Sequence, residues 1–104
     1  MKFVQTIAWT SSREEELLAM IDRFMGEHPE PGPGTLNVKL LKDRARENAY
    51  VIIVEFEDYD LAMQNSALPE TDAFAREMAA LADGPPTFTN LDVLREDATG
   101  SHRV

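Results

Sequence analysis

One hundred and four residues make a single domain, and 43% apolar with 28% charged residues are the proportions of an ordinary globular chain. Ten Lys and Arg against nineteen Asp and Glu give a net charge of −9, which repels nucleic acid and anionic membranes at long range. The absence of cysteine excludes a disulfide framework, a thiolate nucleophile and a thiolate metal site, and no apolar run approaches the ~18 residues of a membrane span.

The first element is a strand over residues 2–10, where Phe3, Gln5, Ile7 and Trp9 alternate with Val4, Thr6, Ala8 and Thr10. The opening Met1-Lys2-Phe3-Val4 turns polar at Gln5, too soon for a signal peptide, so the cytoplasm is the expected location. Ser12-Arg13-Glu14-Glu15 then reads as a capping box, with Glu15 reaching back to the Ser12 cap. Leu17, Leu18, Ile21, Phe24 and Met25 recur at helical spacing, and Gly26 is the expected stop, which predicts a helix over 12–25.

Residues 27–34 read Glu-His-Pro-Glu-Pro-Gly-Pro-Gly, which excludes both helix and sheet ladder. Residues 35–42 form a second strand, 43–48 a charged hairpin tip, and 49–57 a third strand. The third strand contains Ala49-Tyr50-Val51-Ile52-Ile53-Val54, six apolar or aromatic residues without alternation. A strand of that kind is covered on both faces. The chain has helix enough for one face, so a second copy is expected on the other.

Asp58 or Asp60 caps a short helix carrying Leu61 and Met63. Ser66-Ala67-Leu68-Pro69 interrupts it, and Pro69 suits the first turn of a further helix with Phe74, Met78 and Leu81 as its buried stripe. Gly84-Pro85-Pro86 ends that helix, residues 87–95 form the fourth strand, and 96–104 are expected to be a frayed tail. The order β-α-β-β-α-β predicts an α+β, ferredoxin-like domain over residues 1–95. Its four-stranded antiparallel sheet carries the helices on one face, and strands 3 and 4 flank strand 1.

These elements resemble the dimeric α/β-barrel superfamily, most of all its antibiotic-biosynthesis-monooxygenase branch. The resemblance rests on Phe3-Val4-Gln5-Thr6-Ile7, the apolar third strand, the broken second helix, and Phe74 to Leu81 running into Gly84-Pro85-Pro86-Thr87-Phe88. It implies that two sheets pair across a two-fold axis as a dimeric α/β barrel, with a ligand cleft between each sheet and its own helices. It also implies a cofactor-independent monooxygenase or isomerase acting on a planar aromatic or polyketide-like molecule. The haem-degrading branch places an asparagine on strand 1 and a histidine on the second helix. Here the first position is Ile7, and residues 69–82 contain no histidine, so no haem or other cofactor is expected.

The candidate ligand residues are Gln5, Trp9, His28, Tyr50 and Asn90. His28 is either a proton shuttle or a polar residue in the Pro-rich loop, and Trp9 either stacks on a ligand at a pocket entrance or packs in the core. Tyr50 and Asn90 converge with Gln5 if strand parity agrees, and can then donate to a developing oxyanion; otherwise they serve the sheet. His102, in the tail, has no assigned role, and the two histidines do not make a metal site. A pocket, if present, lies between the sheet and the broken helix. The alternative function is a non-catalytic dimeric binding or scaffold module, favoured if Phe3, Phe24, Phe74 and Phe88 fill that cleft.

Overall fold

The structure, a computed structural model, describes residues 1–97. The elements are β1 (Phe3–Thr10), α1 (Glu14–Glu27), β2 (Thr35–Lys42), β3 (Ala49–Phe56), α2 (Tyr59–Ser66), α3 (Pro69–Leu81) and β4 (Thr87–Asp92). All four strands join one antiparallel sheet in the order β2-β3-β1-β4, the α+β ferredoxin-like arrangement. None of the described helices is long and apolar enough to cross a membrane.

Register fixes which side chains share a face. Phe3, Gln5, Ile7 and Trp9 stand opposite Phe56, Val54, Ile52 and Tyr50 of β3, while Asn90 and Phe88 of β4 stand opposite Gln5 and Ile7. This is the helix-facing side, because Trp9, Tyr50 and Ile52 pack with Leu17 and Met20 of α1 and Met78 of α3. A smaller cluster joins Phe3 and Phe56 to Ala62 of α2. The opposite face carries Val4, Thr6, Ala8, Val51, Ile53, Leu41 and Leu91, and the described helices pack on the other side. The parity of Tyr50 and Asn90 is thereby resolved: both point to the helix side.

The start of α1 differs from the sequence expectation. Ser12 does not cap it; Arg13 holds the cap position without a side-chain bond, and the helix begins at Glu14. The cause is Ser11, which is fully buried. Its amide donates to the Asn48 carbonyl (2.8 Å), drawing the chain inward. Its hydroxyl accepts from the Arg13 amide (3.1 Å) and donates to the Leu81 carbonyl (2.7 Å). One serine therefore ties the beginning of α1 to the end of α3, and Ser12 turns outward to Asp83.

Gly26 does not end α1 either. Both the amide and the ring of His28 hold the Phe24 carbonyl, which extends the last turn through Glu27. The stripe also shifts, since Met20 is buried while Leu18 and Met25 are exposed. The break between α2 and α3 falls where the sequence places it. Asp58 caps α2 by accepting from the Leu61 amide (2.8 Å). Leu68 takes an extended conformation because the following Pro69 disfavours helical geometry before it, and Pro69 opens α3. β4 ends at Asp92 rather than at residue 95. Lys2 then pairs with Glu96; most of the expected tail, His102 included, lies outside the described residues.

Candidate functional site

Between the helix side of the sheet and the broken helix lies a cavity of about 290 Å3. Its floor is Gln5 and Ile7 of β1, Leu40 of β2, and Ile52 and Val54 of β3. Ile21, Phe24 and Met25 of α1 form one wall, and Leu68, Thr71 and Phe74, around the α2–α3 break, form another. The Pro-rich loop, with Pro29 and Pro31, and His28 close a third side. The sequence dictates each part of this. The break leaves a gap because Pro69 cannot continue α2, and the prolines keep residues 29–33 out of the sheet.

The loop is seated against the break by close approach. A Cβ on Gly32 would fall 2.0 Å from Asn65 Oδ1, so the backbone there lies directly on the Asn65 side chain. Gly34 has a positive φ of 67°, and a Cβ would meet Leu61 Cβ at 2.6 Å. These two glycines let the loop touch α2.

The cavity is mostly apolar, with polar groups at a few places, which is the usual composition of a small-molecule site. Phe24 and Phe74 line it, Phe3 is buried in the smaller cluster, and Phe88 is exposed. The four phenylalanines therefore do not fill it.

Two of the five candidate residues line the cavity, Gln5 from the floor and His28 from the loop side. The His28 ring stacks on Phe24, with centroids 4.4 Å apart, and Phe24 in turn meets Phe74 at 4.7 Å. His28 Nδ1 sits 3.1 Å from the Phe24 carbonyl. A carbonyl only accepts, so Nδ1 carries the proton, and the neutral ring keeps its lone pair on Nε2. Gln5 Nε2 donates to Asn90 Oδ1 (3.1 Å), which leaves the Gln5 carbonyl oxygen without a use in that bond. Asn90 is exposed on β4 and supports Gln5 rather than lining the cavity.

Trp9 and Tyr50 do not line it. Trp9, expected near the entrance, is buried in the core against Tyr50, with ring centroids 5.9 Å apart. Among the described residues, its Nε1 is the one fully buried side-chain polar atom without a hydrogen-bond partner. The Tyr50 hydroxyl is committed to Glu14 Oε1 (2.6 Å), which also pairs with Lys42 (2.6 Å). That fastens the start of α1 to β2 and β3. The Lys42 and Tyr50 bonds hold the Glu14 carboxyl below the usual range, while the Glu14 bond and burial push the Tyr50 hydroxyl up.

Asn65 and Thr71 also line the cavity and were not anticipated as site residues. The signal was a polar residue on either side of Pro69, next to the break itself. A second groove, of about 520 Å3, runs along the outside of α1 and α3, but it is shallow and its Arg23 and Glu77 pair with each other. Among the described residues, no three His, Cys, Asp or Glu side chains gather as metal ligands.

No protein-family description matches the chain, and no curated protein matches it in sequence. Solved structures match throughout its fold. A variant of SnoaB, a cofactor-independent oxygenase from Streptomyces nogalater, superposes with a TM-score of 0.77 at 20% identity, over 91% of this chain and 95% of that one. An antibiotic biosynthesis monooxygenase gives 0.72 at 16% identity, over 91% and 100%. Rv0793 from Mycobacterium tuberculosis gives 0.77 at 13% identity, over 94% and 100%.

Proposed function

We propose that this chain, which has the ferredoxin-like fold of the antibiotic-biosynthesis-monooxygenase-type proteins, binds a planar phenol in the cavity and oxidises it with dioxygen without a cofactor. One observation carries the reading: an open apolar cavity has a tautomer-fixed histidine on one side and an amide on its floor. In this mechanism His28 Nε2 removes the proton that makes the substrate electron-rich, and Gln5, steadied by Asn90 through one Nε2–H, donates the other to the oxygen that gains charge. Dioxygen then takes four electrons from a ring CH2. One of its oxygens becomes the new carbonyl and the other leaves as water, so no external reductant is needed.

The proposal includes a homodimer built on the helix-free sheet face. Val4, Ala8, Val51 and Ile53 are only half-buried there, and Leu41 and Leu91 are exposed. An apolar face of this kind is the surface a second copy covers. A second reading, a binding module without chemistry, is favoured by one fact. The hydroxyl of Tyr50 is already spent on Glu14, which leaves His28 as the one imidazole lining the cavity among the described residues.

The test is oxygen uptake with a panel of anthrone-type phenols. The enzyme reading expects saturable uptake above buffer. His28→Gln should lower kcat by roughly 10²–10⁴-fold and remove the acid arm of the pH profile, with KM and the circular dichroism spectrum little changed. Binding without uptake leaves the module reading, and no binding by any member of the panel rejects the enzyme reading and leaves the module or scaffold in front.

A further inference from the structure

We propose that the cavity selects uncharged planar phenols of about two or three fused rings and rejects their carboxylated counterparts; this rests on the reading of the cavity as a ligand site. Its volume, about 290 Å3, lies at the small end of the ~300–1,000 Å3 range of ligand pockets, which sets the ring count. Charge sets the rest. Among the described residues, the ionisable ones lining it are His28, Glu30 and Glu70, and no lysine or arginine does so. Among those residues an acid entering the cavity therefore meets two carboxylates and no fixed cation.

Nor do the cations nearby compensate. Arg23 on α1 is paired with Glu77, Arg76 on α3 with Asp72, and Lys42 at the end of β2 with Glu14. Lys39 stands on the opposite face of the sheet, level with Ile53. The net charge of −9 adds a repulsive background to the local one. An uncharged phenol escapes both penalties and still presents a proton for a histidine to take. Aromatic walls from Phe24 and Phe74 suit its ring.

The experiment compares 1-naphthol with 1-naphthoate by calorimetry on the full chain at about pH 8. At about 10 mM salt, where the Debye length is ~30 Å, 1-naphthol should bind at least about tenfold more tightly. The gap should shrink at about 1 M salt, where that length is ~3 Å, and in the Glu30→Gln/Glu70→Gln double variant. Circular dichroism of the variant confirms that it folds, and the salt series reads the same effect without any substitution. Equal or tighter binding of 1-naphthoate overturns the inference and leaves the cavity a ligand site. A gap that neither salt nor the double variant narrows also overturns it. If neither compound binds, the cavity reading falls and takes the inference with it.

Discussion

Single residues here do more than one task, and Glu14 is the clearest case. Its carboxylate accepts from Lys42 and from the buried Tyr50 hydroxyl, so α1, β2 and β3 meet at one oxygen. The two pKa directions act at opposite ends of the pH scale. Glu14 is held below its ordinary 4.5, so its contribution is present above that value and is lost as pH falls through the lowered one. Tyr50 is held above its ordinary 10.0, so its contribution is present below that value and is lost as pH rises through the raised one. Thermal melts across pH should show Tyr50→Phe losing the alkaline arm and only part of the acid arm, which the Lys42 bond still supports, whereas Glu14→Gln weakens both. If Glu14→Gln lowers Tm equally at every pH, the linkage is absent. Trp9 makes a different compromise. Burying an indole N–H without a partner costs ~1–3 kcal/mol, which the large ring offsets by the apolar area it removes from water.

At the scale of elements, the Pro-rich loop and the broken helix make one unit, because the loop backbone is seated on α2 at Gly32 and Gly34. Gly34→Ala forces a side chain into a positive φ and into Leu61, and should cost about 1–3 kcal/mol in urea unfolding. Gly26→Ala should go the other way by about 0.5–1 kcal/mol, since its Cβ would meet nothing within 4 Å and it lies in a helix. A destabilised Gly26→Ala or an unaffected Gly34→Ala would contradict that account. Much of this level was legible in the sequence. Alternation located β1, proline located the α2–α3 break, and the β-α-β-β-α-β order placed β3 and β4 on either side of β1. What was not legible depended on partners far along the chain. Ser11 and Ser12 are adjacent and chemically alike, and the carbonyls of Asn48 and Leu81 decide which one is buried. Tyr50 and Ile52 cannot be told from Val51 and Ile53 by hydropathy, because register with β1 sets the face. For His28 the sequence leaves open a proton shuttle or a polar loop residue, and its place beside the cavity comes from its ring stacking on Phe24 while Gly32 lies on Asn65.

For the whole molecule, two neighbouring isoleucines separate folding from assembly. Ile52 is 5% exposed in the core, whereas Ile53 is half-buried on the helix-free face. Ile52→Glu places a charge among Trp9, Met20 and Leu40 and should abolish folding. Ile53→Glu should keep the native circular dichroism spectrum and sediment near the 11.7 kDa chain mass, whereas the proposed dimer predicts twice that mass for the unmodified protein. Monomeric sedimentation of the unmodified protein at micromolar concentration would sink the dimer. The sheet order has a further consequence, for how the chain is made. β1 is made before the other three strands and ends up in the interior of the sheet, yet its neighbours are β3 and β4, with Phe3 opposite Asp92. The β2–β3 hairpin is local and can close during translation, and β1 can join it through β3, but β4 is available only once Thr87–Asp92 has been made. Until then one edge of β1 is bare, and an unpaired strand edge invites wrong pairing.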